Sequence, residues 1–273
     1  LKSGGAWLGL ALVAPAFGAL AVLVLVPAAL SLAGTSLAGY RHFFSDRESL
    51  SNLGYTIEIT LVSIVLLLAI GLGLALYLRF AHSAFAGAIR TLSLFPVFVP
   101  GVIVGFALIR FLGPTGILPL VLRRVGITGY QTPYLHASGA MIGLVWENLP
   151  LTVMLLAAGL AQIPDRAIEA ARDVGAGRWC ILWHIVLPQL GHALAVTSCL
   201  DFLQIFGAFT VPYILGPAAP QMMSIFMQRT FTEVGDAGAA ETQATVSFLV
   251  CAAIGAIYTT LVFRGSASTT TLR

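Results

Sequence analysis

Three carboxylates interrupt apolar runs long enough to lie in lipid: Glu58, Glu147 and Asp201. An acid in such a run is expensive and is held by a cavity, a partner or the headgroup layer. Glu58 stands about one turn into its run, where it reaches headgroups. Glu147, in Trp146-Glu147-Asn148-Leu149-Pro150, and Asp201, in Asp201-Phe202-Leu203-Gln204-Ile205-Phe206, stand near the middle of theirs. No Lys or Arg stands near the middle of a run to pair with them. Two chemistries stay open. Each acid is neutral or bonded to Asn148, Gln204 or Ser198, as buried carboxyls readily become. Alternatively, both face a path through the membrane and meet a cation, with Gln204 as an amide and Phe206, Phe209 and Tyr213 as aromatic support. The same aromatics also suit plain helix packing.

Chemistry of other kinds finds no residues. There is no His-Glu-x-x-His and no Gly-x-Ser-x-Gly, so no catalytic residue is assigned. His42, His82, His136, His184 and His192 are scattered, with no pair at helical ligand spacing, and no metal site is expected. Cys180, Cys199 and Cys251 lie in or beside apolar segments and read as packing residues. The one lysine, Lys2, follows no Gly-rich phosphate loop, so the chain holds no nucleotide cofactor in that manner and an energised function needs a partner. A formal net charge of +3 does not suggest nucleic acid.

The elements that position these groups follow from composition. The 273 residues are 58% hydrophobic and 9% charged, with mean hydropathy +0.95, against ~25% charged in a soluble domain. This is an all-α polytopic membrane protein. Spanning needs ~20 apolar residues, and six runs qualify: about 6–32, 53–78, 92–112, 137–161, 189–215 and 242–263. The first is too long for a signal-peptide core and is expected to be a retained span. Residues 113–136 and 216–241 are each expected to hold a short amphipathic surface helix, the second with Met222, Met223, Phe226, Met227 and Phe231 as packing residues. Gly101 with Gly105, and Gly71 with Gly73, suit close helix approach. No repeat is visible, and residues 1–273 read as a single membrane domain.

The longest polar interruption is Glu169–Pro188, EAARDVGAGRWCILWHIVLP, within a loop of about 163–188. Pro164 and Asp165 open a short helix, with Asp165 as N-cap or first-turn acid. Gly175 is expected at positive φ, because the chain must reverse there. A second short helix with Trp179, Ile181, Leu182 and Ile185 then leads to Pro188. Glu169-Ala170-Ala171, Gly175 and Ile185-Val186-Leu187-Pro188 at this spacing resemble the "EAA" loop of binding-protein-dependent ABC importer permeases. Phe95-Pro96, Pro100-Gly101-Val102-Ile103-Val104-Gly105 and Gly207 to Gly216 are similar to the spermidine/putrescine branch, and Tyr40 to Phe44 resembles that class after its first span.

The resemblance implies a type I importer fold of about six spans with a cytoplasmic coupling helix. It implies docking of an ATPase on Glu169, Ala170, Ala171, Arg172, Asp173, Gly175, Ile185, Leu187 and Pro188. Lys and Arg divide almost evenly between the two sides, so orientation rests on the resemblance, which places this loop and both termini in the cytoplasm. The implied partners are an ABC ATPase dimer carrying ATP and Mg, a second permease subunit that is expected to be a paralogue, an extracytoplasmic solute-binding protein, and the lipid of a bacterial inner membrane. The implied solute is a polyamine or related amine-bearing compound; alternatives are a sugar or glycerol-phosphate permease, whose fifth span also ends in Gly-Pro, or a phosphonate or opine permease.

Overall fold

The computed structural model describes residues 4–81 and 84–270; Lys2 and His82 lie outside them. Its helices in order are α1 (Gly4–Gly34), α2 (Leu37–Ser45), α3 (Arg47–Phe80), α4 (Ala84–Leu94), α5 (Gly101–Leu112), α6 (Ile117–Arg124), α7 (Ala137–Ala161), α8 (Asp165–Asp173), α9 (Arg178–Ile181), α10 (Leu187–Phe206), α11 (Thr210–Leu215), α12 (Met223–Arg229) and α13 (Ala237–Thr270). Among the described residues six helical stretches are long and apolar enough to cross a membrane: Leu12–Gly34, Arg47–Phe80, Gly101–Arg124, Ala137–Ala161, Arg178–Phe206 and Ala237–Val262. The elements form two compact units, residues 1–50 with 226–250 and residues 51–225 with 251–273.

In the smaller unit, α1 and the first half of α13 meet through hydroxyls. Thr35 and Thr245 are 3.0 Å apart through their Oγ1 atoms, and Thr245 also donates to the Ser31 carbonyl. Asp46 caps α3. Its carboxylate accepts the Ser49 hydroxyl at 2.7 Å and the Ser49 N–H at 2.8 Å. These bonds, the hydroxyl first, hold the Asp46 carboxyl below its ordinary range, because donors aimed at the charged form favour it.

In the larger unit, proline and glycine break the helices that the apolar runs extend through. The expected span at 92–112 is two helices, because Pro100 has no N–H to give and pushes Val99 to extended backbone, φ −106° and ψ 115°. A 3-10 turn, Phe95–Phe98, closes α4 and α5 begins at Gly101. The expected span at 189–215 starts earlier and ends sooner. A π-helical turn, Leu182–Val186, with the Leu187 N–H reaching the Leu182 carbonyl, carries α9 straight into α10. Pro188 explains it: an α-helix would need a Pro188 N–H. The helix after Gly177 is therefore the foot of the fifth span. At the other end α10 stops at Phe206, and α11 restarts at Thr210 after Gly207.

These broken pieces pack tightly. A Cβ at Gly105 would lie 2.8 Å from Ile214, and one at Gly101 would lie 2.8 Å from Glu147 Oε1, so both glycines of that pair are contact points. Of the other pair, Gly71 meets Thr152, 2.9 Å from where its Cβ would be, while Gly73 has open space. Residues 113–136 do hold a short helix, α6, and residues 216–241 hold α12. The start of α12 is buried, however. The Met223 N–H donates to Thr56 Oγ1 at 2.8 Å and the Gln221 N–H to Asn52 Oδ1 at 2.7 Å. This pins Met222 and Met223 against α3, so they pack inside while Phe231 stays exposed.

Helices α7 and α10 are joined by one buried polar link. The Thr152 hydroxyl lies 3.0 and 3.1 Å from the two Asp201 oxygens, and both residues are fully buried. Its single proton serves one acceptor at a time, and the Asn148 carbonyl at 3.1 Å shares it with the carboxyl. Thr152→Val keeps the shape and removes the donor, leaving a buried carboxyl unpartnered at a cost of about 1–3 kcal/mol. The thermal midpoint of Thr152→Val in detergent is expected to fall and that of Thr152→Ser to return toward the parent. An unchanged midpoint in Thr152→Val would show that the link carries no stability.

Candidate functional site

The polar loop folds as a short helix and a glycine turn on an apolar bed. Helix α8 follows Pro164, with Asp165 in its first turn, so Asp165 is the first-turn acid of the two roles weighed. The turn at its end is a Schellman closure: the Ala176 N–H bonds the Ala171 carbonyl and the Gly175 N–H bonds the Arg172 carbonyl, each at 2.9 Å. Gly175 has φ +82°, the left-handed region where a Cβ is costly.

Nine residues make a marginal helix by themselves, and packing holds this one. Ile168 on its inner face joins Ala75, Leu156, Leu160, Ile163, Ile181, Val186 and Leu190 in one buried cluster, so α8 rests on the ends of α3, α7 and α10. Ala171, Ala176 and Ile185 pack against that cluster. Glu169, Ala170, Arg172 and Asp173 face outward, as does Pro188, while Leu187 is half-buried. Val174, Trp179 and Trp183 add large apolar exposure beside them, 85%, 75% and 63%. An exposed apolar patch next to charge marks a surface that meets protein or lipid.

One residue of this site escaped sequence reading. Arg79, in the last turn of α3, donates to Asp165 Oδ1 at 2.6 Å and to the Ile163 carbonyl at 3.0 Å. It clamps the chain where it enters α8. The partners are 86 residues apart, and only the apolar length of α3 against α7 could have hinted that they share one membrane surface.

The candidate path residues divide into two groups. Asp201 is sealed against Thr152, and none of Asn148, Gln204 and Ser198 is its partner: Asn148 donates to the Leu144 carbonyl and Ser198 to the Leu194 carbonyl. Phe206 is buried and stacked on Phe202, ring centres 5.4 Å apart. Gln204, Phe209 and Tyr213 are exposed, with Phe209 and Tyr213 stacked at 5.3 Å. Asp201, Gln204, Ala208 and Phe209 would share one face only on an unbroken helix, and α10 ends at Phe206 with Gly207 as its cap. Glu147 is half-buried and lies over Gly101 at the α5–α7 contact. Glu58 is exposed on α3. No group of three or more His, Cys, Asp and Glu suited to a metal ion occurs among the described residues.

Comparison with known proteins now identifies this frame. The family of binding-protein-dependent transport system inner membrane components matches residues 66–267. The molybdenum transport system permease protein ModB of Azotobacter vinelandii is 26% identical over 69% of this chain and 82% of its own. The sulfoquinovosyl glycerol transport system permease protein SmoG of Agrobacterium fabrum is 25% identical over 94% and 91%. The spermidine/putrescine transport system permease protein PotB of Haemophilus influenzae is 28% identical over 58% and 55%. Among solved structures, a chain of a bacterial alginate ABC transporter in complex with its pentasaccharide-bound periplasmic protein aligns with TM-score 0.78 at 18% identity, covering 94% of this chain and 92% of that one. That family is a transport component and not a catalytic one. The chain belongs to the binding-protein-dependent transport system inner membrane components: it is a multi-pass inner-membrane permease subunit of an ABC importer.

Proposed function

We propose that this permease is one of two membrane subunits of an ATP-driven importer and that α8 with its glycine turn receives the motion of an ATPase. The observation that carries this is the split character of α8: Glu169, Arg172 and Asp173 face out while Ile168 sits in the core beneath three spans. ATP and Mg belong to the ATPase dimer, since no Gly-rich loop followed by Lys occurs in this sequence. One such loop serves one ATPase, and nucleotide sites of this class form between two, so a second permease, a paralogue, completes the path. An extracytoplasmic binding protein supplies the solute.

The solute in this reading is a polyamine or another amine-bearing compound. It is supported by a carboxylate, Glu147, at the α5–α7 contact and by the exposed Phe209–Tyr213 stack, whose faces attract cations. One observation favours a sugar instead: Asp201 is turned inward on Thr152, which leaves an amide, Gln204, and stacked rings on the open surface, a pairing that suits sugar faces equally. Relatives named for trehalose and for sulfoquinovosyl glycerol accompany that second reading.

Gly175→Val forces a β-branched residue to φ +82°, costing ~1 kcal/mol or more and re-aiming α8. Glu169→Lys inverts a charge on the outer face. Both variants are expected to reach the membrane and to lose solute-stimulated ATP hydrolysis in the assembled complex; retained stimulation in both would remove the docking role. Native mass spectrometry of the active complex is expected to show two membrane subunits, and one permease with one ATPase as the active species would refute the pairing. For the solute, Glu147→Gln keeps shape and removes charge. Uptake into proteoliposomes with excess binding protein is expected to fall severalfold, whereas wild-type uptake would leave the sugar as the better reading.

A further inference from the structure

Apart from the membrane path, the smaller unit encloses a cavity of about 410 Å³ around the first turn of α3. Four acids line it, Asp46, Glu48, Asp236 and Glu241, against one guanidinium, Arg229. Two of the acids are already engaged: Asp46 caps α3 through Ser49, and Asp236 caps α13 by accepting the Ala239 N–H at 2.9 Å. Arg229 is engaged as well, with Glu233 at 3.4 Å. The carboxylates of Glu48 and Glu241 have no hydrogen bond or ion pair among the described residues.

A buried acceptor belongs to the same lining. Gln243 is 3% exposed on the cavity wall. Its Nε2 donates to Thr230 Oγ1 at 3.1 Å, and that hydroxyl in turn donates to the Phe226 carbonyl at 2.9 Å. This chain fixes which end of the amide is oxygen, and Gln243 Oε1 is left buried without a partner. A buried orphan acceptor costs ~1–3 kcal/mol unless a donor comes to it. The wall is also closely fitted. A Cβ at Gly34 would lie 2.8 Å from Glu241 Oε1, and one at Gly39 would lie 2.8 Å from Thr242 Oγ1, so glycines on the α1–α2 side make room for the α13 side chains. With four carboxylates against Arg229 and His42, the lining is acidic on balance and fits a ligand that brings N–H groups and positive charge.

We propose that this cavity binds a primary ammonium group, with Glu241 meeting its charge and Gln243 Oε1 accepting one of its protons. The group comes from a free diamine or from the ethanolamine headgroup of a lipid. Glu48 and Ser49 of the lining belong to the first turn of α3, at the opposite end of that helix from Arg79. The assignment does not rest on which solute the importer carries.

The test is calorimetric titration of 1,4-diaminobutane into the purified importer complex in nanodiscs of phosphatidylcholine and phosphatidylglycerol. Saturable binding is expected, one per copy of this chain, weakened about tenfold or more in Glu241→Gln and in Gln243→Leu, as charge-assisted bonds imply. Gly34→Ala moves the Glu241 carboxylate without removing it and is expected to weaken binding too; it decides the matter should either other variant lose its thermal midpoint. Discs containing phosphatidylethanolamine separate the sources: weaker apparent diamine binding there assigns the headgroup, and equal binding assigns the free amine. No saturable binding, or equal binding by the parent and all three variants, overturns the site. Binding lost in Glu147→Gln and kept in Glu241→Gln also overturns it, while leaving the amine reading of the membrane path intact.

Discussion

The packing of Ile168 beneath α8 is the contact on which the rest of this permease turns. A nine-residue helix does not hold its shape in water by propensity. It exists here because Ile168 joins a cluster drawn from α3, α7 and α10. Protein interiors are close-packed and transmit displacement instead of absorbing it. A push on the outer face of α8 therefore reaches Leu156 and Leu160 on α7 and Leu190 on α10 as a shift of those helices. Arg79 adds a second tether, joining the end of α3 to both the Ile163 carbonyl and Asp165. With a side-chain exposure of 24% against 72% for Asp165, the pair is partly shielded on the arginine side, and its value is directional: it sets where α8 begins, as Gly175 sets how it ends.

The second constraint is the absence of water in the bilayer, where an irregular backbone survives only when protein covers it. Pro100 and Gly207 are themselves exposed, and the cover falls on the segments beyond them. The two segments they release, α5 and α11, pack on each other and on α7, with Ile214 filling the space at Gly105 and with Val211 and Leu215 crowding Gly143. The small residues thus serve the breaks more than the straight spans. A broken helix held by glycine contacts can change its arrangement by sliding, which an unbroken one of the same length cannot do without unpairing its backbone.

These two constraints also explain what could be read from the chain alone. The loop was legible because its signals are local: Gly175 is needed wherever a helix must stop and reverse, and the alternation of Ile168 with Glu169, Arg172 and Asp173 declares an inside and an outside. The six spans were legible because length and apolarity suffice. Phase was not. The sequence around Gln204 to Phe209 looks like one helical face, but Gly207 resets the rotation, so Phe206 goes in and Phe209 goes out. Pro188 reads as the start of a span, yet the π turn lets α9 and α10 run on as one helix. Long-range pairs were invisible for a different reason. Nothing near Asp201 names Thr152, and nothing near Asp165 names Arg79, because such partners are chosen by how spans cross and not by spacing.

Relatives named for molybdenum, sulfoquinovosyl glycerol and spermidine/putrescine all match this chain, so likeness of sequence does not by itself fix a solute. The residues that hold the helices together are buried and local in effect: Thr152 with Asp201, Gly105 with Ile214, Ile168 with its cluster. Of the polar and aromatic candidates, Gln204, Phe209 and Tyr213 are exposed along the broken fifth span, and Glu147 is half-buried on α7. Function on a common fold lives in such grafted positions. Asp201 stands apart from the exposed candidates, because its carboxyl is held by Thr152 in the α7–α10 link.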